Sequence, residues 1–184
     1  MVSPAFDVIV VGSRPAGARA ALELGRARRQ VLLLDGGLGR NAPTGAAHGL
    51  YTRDGSSPAE LHRIACEQLA RYAVQIVNGR AVTAQAGPGG FEVVLEGGAV
   101  HTAAKLLLAY GVRDLLPEVP GLSERWGHSV LHCPYCDGWE YRERRAVVYG
   151  RGNSAHHMAL TLQPWTAHVT LLTDGPHDFT PEQL

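Results

Sequence analysis

Three residues in the run His132-Cys133-Pro134-Tyr135-Cys136-Asp137-Gly138-Trp139-Glu140 could do chemistry together: Cys133, Cys136 and Asp137. In the first turn of a helix, side chains three residues apart are neighbours, and two thiols so placed can close a disulfide. Pro134 suits the first helical position. Cys133 then falls at or beside the N-cap, where a helix dipole favours a thiolate. Asp137 follows directly and can give or take the proton that thiol–disulfide exchange moves. Two other readings stand beside this one. A metal half-site would need two more ligands, from His128, His132, His156, His157 or Cys66, and the chain has no second C-x-x-C or H-x-x-H pair. No resident metal is therefore expected. A chance pairing of two cysteines is the bland alternative.

Two glycine turns form the second group. Gly12-Ser13-Arg14-Pro15-Ala16-Gly17 follows the apolar run at 6–11, and Asp35 ends the next apolar run, "VLLLD". Such a turn between a buried strand and a helix lets backbone N–H groups meet a pyrophosphate, and an acid about 20 residues on can bind a ribose hydroxyl. Arg14 stands where a middle glycine would usually allow close backbone approach. The second turn, Gly150-Arg151-Gly152-Asn153-Ser154-Ala155, keeps both leading glycines and has alanine third. One turn alone could be a tight strand–helix connection that binds nothing. Two in one chain imply two dinucleotides, typically FAD and then NAD(P)H. Asp174, after the last apolar run, suits NADH better than a 2′-phosphate.

The elements that must position these residues follow from the pattern. Residues 6–11 and 31–35 read as strands buried on both faces, with a helix from Ala16 to about Arg29 between them. Residues 36–56 lack periodicity and read as a loop that is either functional or disordered. Ser57-Pro58-Ala59-Glu60 is a capping box opening a helix with Leu61, Ile64, Ala65, Leu69 and Tyr72 on one face. Cys66 in that helix reads as an ordinary buried thiol. From Val74 to Leu108 the pattern becomes short β segments separated by glycine turns, an antiparallel meander returning to the main sheet. "PEVPG" at 117–121 marks a domain boundary. After the cysteines, strand, glycine turn, helix and strand repeat. The fold class is therefore α/β: a Rossmann-like FAD-binding domain with a parallel sheet and β-meander over 1–116, then the start of a second Rossmann-like, NAD(P)-binding domain over 117–184.

Composition narrows the function classes. The 184 residues are 45% hydrophobic and 18% charged, with a formal net charge of zero. No nucleic-acid or anionic-membrane partner is expected from that balance. No apolar run reaches the roughly 20 residues a membrane helix needs. The N-terminus lacks a basic region before its apolar run and reads as a strand, not a signal peptide. Three cysteines do not make a disulfide scaffold, so a reducing, cytoplasmic setting is expected, where C-x-x-C pairs are mostly catalytic or metal-binding.

The segments "DVIVVGSRPAGARAAL", "LLLDGG", "GRNAPT", "HGLYTRDGSSPAEL", "LLLAYGVRDLLPEVPGL" and "HCPYCDGWE", in this order, resemble the thioredoxin reductase family of flavoprotein disulfide oxidoreductases, and more closely its thioredoxin-reductase-like branch. The resemblance implies FAD held by Gly12, Ser13, Arg14, Pro15, Ala16, Gly17, Asp35 and Gly36, with Arg40, Asn41, Ala109 and Gly111 also at the cofactor. It implies NAD(P)H at Gly150, Gly152, Asn153 and Ala155. Cys136 would face the flavin, Cys133 would exchange with substrate, and Asp137 would serve as acid and base. A homodimer is implied, acting on a disulfide or dithiol that is a small protein or a small molecule. The alternatives are a flavin-dependent dithiol oxidase, running the same pair in reverse, and an inactive homologue that serves as a binding module. The family pattern continues beyond Leu184, so a C-terminally truncated member that binds FAD weakly by itself is expected.

Overall fold

Strand β1 (Phe6–Val11) and strand β2 (Val31–Asp35) alternate their side chains between two apolar layers, which is why Val8–Val11 and Val31–Leu34 are unbroken apolar runs. Val8, Val10, Val31 and Leu33 face one layer with Ala18 and Ala21 of helix α1 (Pro15–Arg26) and Leu69 of helix α2 (Pro58–Leu69). Ile9, Leu32 and Leu34 face the other, with Val93, Leu95 and Ala103. The two strands pair in parallel with Val8 opposite Val31, a register that sends alternate residues to the two layers. The computed structural model describes residues 5–177 and 179–181.

The chain divides into two compact units. The first takes in residues up to Ala46 and Ser56–Ser123; the second takes in Ala47–Gly55 and residues from Glu124 on. In the first unit, strands β3 (Val74–Asn78), β4 (Ala81–Gly87), β5 (Gly90–Leu95) and β6 (Val100–Leu108) complete a six-stranded sheet of order β3-β2-β1-β6-β5-β4. β3, β2, β1 and β6 run parallel; β6, β5 and β4 run antiparallel. The expected meander is therefore β4–β6 only. β3 pairs with β2 because α2 carries the chain over the sheet between them, and a crossover helix makes neighbours parallel. The capping box forms, with the Glu60 N–H donating to Ser57 Oγ at 3.2 Å. Helix α1 stops at Arg26, short of the expected Arg29. Arg28 turns to φ 61°, and the N–H groups of Arg28 and Arg29 donate back to the carbonyls of Gly25 and Leu24, a Schellman closure with arginine where glycine is usual.

The second unit holds the one-turn helix α3 (Pro134–Asp137), strand β7 (Ala146–Tyr149), helix α4 (Gly152–Leu162) and strand β8 (Val169–Leu172). β7 and β8 pair in parallel, Ala146 opposite Val169. Val148 and Ala155 are its buried apolar residues. Thr166, 5% exposed, is satisfied by donating to the Arg144 carbonyl and accepting from the His168 N–H. Among the described residues no helix is long and apolar enough to cross a membrane.

Candidate functional site

The first glycine turn is built where β1, β2 and β6 end together. Gly12 has φ 105°, and a Cβ there would run into the Ala109 carbonyl, whose own N–H holds Val11 O at 2.8 Å. A Cβ on Gly17 would in turn strike the Gly12 carbonyl, so α1 meets the end of β1 backbone to backbone. Arg14 is the N-cap of α1, and no side chain caps the first turn. Pro15 takes the first helical position, where a missing N–H costs nothing. The first turn therefore keeps backbone donors for an anion, which is the chemistry a pyrophosphate needs.

The arginine in the turn has a place of its own. Its guanidinium donates to the Gly37 carbonyl, lies 3.8 Å from Asp35, and its stem lies against Gly39. Arg14 thus ties the start of the 36–56 loop to the helix N-terminus. Burial by itself would raise the Asp35 carboxyl's pKa. The Gly37 N–H, the Ser13 hydroxyl, Arg14 and His62 outweigh it and hold the group below its ordinary value, so Asp35 is a carboxylate. Gly36 sits between Asp35 and this tie, and Gly111 has open space where a side chain would be. Arg40 is engaged by Asp114 through two hydrogen bonds of 2.7 and 2.6 Å. The Asn41 carbonyl closes a turn onto Thr44.

Cys133 is the N-cap of α3, Pro134 is its first residue, and Cys133 and Cys136 are joined as a disulfide with Cα atoms 5.3 Å apart. With a single turn, α3 has few aligned peptides, so the helix field on Cys133 is that of local N–H groups alone. Cys136 is exposed and Cys133 half-buried. The Asp137 N–H donates to the Cys133 carbonyl at 3.3 Å, and a Cβ on Gly138 would meet Trp165, against which Tyr135 packs edge-on. Burial raises the Asp137 pKa; His132 and His48 oppose it and Glu140 adds to it, the net direction being upward. His48 Nδ1 stands 3.7 Å from both Asp54 and Glu140. Among the described residues no group of three or more His, Cys, Asp or Glu side chains is arranged to hold a metal ion.

The second turn repeats the first turn's logic. Gly150 follows β7, Arg151 is the N-cap of α4 without a side-chain cap, and Gly152 opens the helix at φ 60°, a conformation that favours glycine. A Cβ on Gly150 would lie 3.2 Å from that of Ala155, so a side chain at the first position would crowd the alanine at the third. Asn153 lies in the same first turn. Beyond β8, Asp174 is held by Arg151 at 2.9 Å. Tyr149 first, then Arg151, keeps its carboxyl below the ordinary range.

Sequence comparison decides the family. The family model described as pyridine nucleotide-disulphide oxidoreductase matches residues 6–182. The chain belongs to this family. Proteins named thioredoxin reductase are among those similar to it. It is 35% identical over 178 residues to the thioredoxin reductase tcpT of Claviceps purpurea, covering 92% of this chain and 56% of that protein. Among solved structures, an oxidoreductase from Agrobacterium tumefaciens superposes with TM-score 0.91 at 42% identity, covering 97% of this chain and 60% of that one. A thioredoxin reductase from Streptococcus pyogenes superposes with TM-score 0.86 at 26% identity, over 94% of this chain and 56% of that one. The chain thus spans somewhat over half the length of these relatives. As a pyridine nucleotide-disulphide oxidoreductase it has the FAD- and NAD(P)-type Rossmann fold and the redox-type cysteine pair. The first turn fits FAD on this structure's own terms: an uncapped helix N-terminus, a backbone approach only glycine allows at residue 12, and an ionised acid at the end of β2.

Sequence reasoning passed over three residues in this family member: His62, which meets Asp35, and His48 with Glu140 near Asp137. The i, i+4 spacing of His62 and Cys66 on an otherwise apolar helix face was the available signal for the first.

Proposed function

We propose that this chain works in an NAD(P)H-linked disulfide reductase. An electron pair from NAD(P)H reaches the Cys133–Cys136 disulfide and leaves it for a disulfide substrate, a small protein or a small molecule. The observation that carries this reading is the closed Cys133–Cys136 disulfide at the N-terminus of α3 with Asp137 directly behind it. FAD, when bound, supplies the two-electron relay between nicotinamide and disulfide.

The chain's own residues do the rest. The α1 turn, Gly12 to Gly17, holds the FAD pyrophosphate, and Asp35 holds the adenosine ribose. The α4 turn, with Gly150, Gly152, Asn153 and Ala155, holds the NAD(P)H pyrophosphate. Asp174, an ionised acid after β8, favours a ribose hydroxyl over a 2′-phosphate, hence NADH. Two electrons and two protons convert the disulfide to two thiols. Cys133, as thiolate, then attacks one substrate sulfur, and the departing sulfur takes a proton. Cys136 displaces the second substrate sulfur and re-forms the disulfide. Asp137 holds a proton more readily than an ordinary carboxyl, which suits it to protonate the departing thiolate and to recover the proton afterwards. The proposed setting is a cytoplasmic homodimer.

The test is NAD(P)H oxidation by the FAD-supplemented protein with a disulfide acceptor. One NAD(P)H should be consumed per disulfide reduced. Peroxide formed from a dithiol and oxygen, with no use of NAD(P)H, would contradict the reading. In the same assay Asp137→Asn should lower turnover by about 10²-fold or more, the scale of lost general acid–base help, with FAD binding intact. A raised carboxyl pKa also has a stability sign. The Asp137 contribution is fully present below the unfolded value and is lost as pH rises through the folded pKa. A permanently neutral Asn escapes that loss, so the slow variant should unfold at slightly higher urea than wild type at pH 7, and the gap should close toward pH 3.

A further inference from the structure

The Asp35 carboxylate has a partner that the glycine-turn pattern does not contain. His62, one turn into α2, places Nε2 3.0 Å from Asp35 Oδ2, while the Gly37 N–H donates to Oδ1 at 3.0 Å. Asp35 is ionised and so can only accept, which means Nε2 carries the ring proton. Cys66, one turn further along α2, sets its sulfur 3.6 Å from the same nitrogen. Nδ1 of His62 is buried with no hydrogen-bond partner among the described residues. The imidazole is therefore not placed to satisfy itself twice. Its polar contacts, to the acid and to the Cys66 sulfur, are both made at Nε2.

A carboxylate offers about four lone-pair directions. Gly37 and His62 take one on each oxygen, the Ser13 hydroxyl also acts on the carboxylate, and Arg14 at 3.8 Å is too far for a hydrogen bond. The remaining directions are what two vicinal hydroxyls of a ribose would use. An aspartate has a short side chain and a terminal torsion that rotates broadly, so an acid without the His62 bond at Oδ2 could turn that oxygen away. We propose that His62 is a positioning residue that locks the rotamer of Asp35 for the adenosine ribose of a dinucleotide. This rests on the reading of the first turn as the FAD site and names a residue that sets its adenosine end. His62 itself does not touch the cofactor.

The test separates the adenosine end from the flavin end by calorimetric titration of the 184-residue chain with FAD, ADP and FMN. FAD and ADP carry the adenosine ribose; FMN does not. His62→Ala should weaken FAD and ADP about tenfold each and leave FMN within about twofold, since one charge-assisted hydrogen bond is lost and the acid becomes mobile. His62→Gln, which can present an amide N–H to the same oxygen, should bring FAD and ADP back to within about threefold of wild type. Equal FAD and ADP affinities in wild type and His62→Ala would overturn the proposal and leave the FAD site standing. Parallel losses for all three ligands, or no recovery in a folded His62→Gln, would make His62 a support of the fold only. Wild-type protein that binds neither FAD nor ADP would remove the FAD reading and the proposal with it.

Discussion

Cys136→Ser, reduced and mixed with glutathione disulfide, should accumulate a mixed disulfide on Cys133 that wild type passes through too quickly to see. The reason is intramolecular. Cys133 and Cys136 sit three residues apart with Cα atoms 5.3 Å apart, close enough to bond. A thiol so placed acts at an effective concentration far above any thiol in solution, on the order of 10⁵ M in well-oriented cases. Against millimolar free thiol, losing Cys136 should lengthen the life of the mixed disulfide by about 10³-fold or more. Steady turnover should fall with it. The complementary Cys133→Ser should form no comparable adduct on Cys136. Mass spectrometry of the intact protein reads both outcomes. The exposed position of Cys136 makes this a demanding comparison. An adduct that forms on Cys136 in Cys133→Ser, and not on Cys133 in the other variant, would reverse the two roles.

Gly12→Val should strongly destabilise the first unit. Residue 12 sits at φ 105°, where a β-branched side chain is strained, and its Cβ would collide with the Ala109 backbone and approach Tyr110 Cα. Neither obstacle is the end of a flexible side chain. Both belong to the backbone leaving β6, which is paired with β1 along Val8–Val11. Relief would require parting the two central strands of the sheet. A cost of about 3 kcal/mol or more is expected, a large part of the 5–15 kcal/mol or so by which domains are stable. Gly45→Ala is the control. Its backbone is ordinary and its Cβ would meet nothing within 4 Å, so its urea midpoint should barely move. A Gly12→Val protein as stable as that control would show that the turn is not as tight as described.

How far the sequence reaches is visible residue by residue. β1 and β2 were legible because both of their faces are buried, and α2 because Ser57 and Glu60 announce its start locally. The N-cap place of Cys133 was legible from Pro134 for the same reason: capping is written within one turn of chain. What was not legible depends on contacts across the fold. β3 has the same short β character as β4 and β5, and only the passage of α2 over the sheet decides that it joins β2. Arg14 looked like a flaw in a glycine pattern; its side chain ties down a carbonyl 23 residues away, which no periodicity encodes. The hydrogen bonds of Arg40 to Asp114, 74 residues on, are likewise written in no local pattern. His62 carries no local signal beyond its spacing from Cys66, since the acid it meets lies at the end of a different strand.

Counting thiols tests the central claim most directly, because it asks whether Cys133 and Cys136 are a reversible redox pair before any cofactor or substrate is named. The chain has three cysteines, of which Cys66 is free. Denatured protein, alkylated before and after treatment with dithiothreitol, should show one modified cysteine in the air-oxidised form and three in the reduced form, and reoxidation should return the count to one with the peptide of Cys133 and Cys136 again cross-linked. Three alkylated cysteines in the oxidised protein, with zinc recovered in stoichiometric amount, would contradict it.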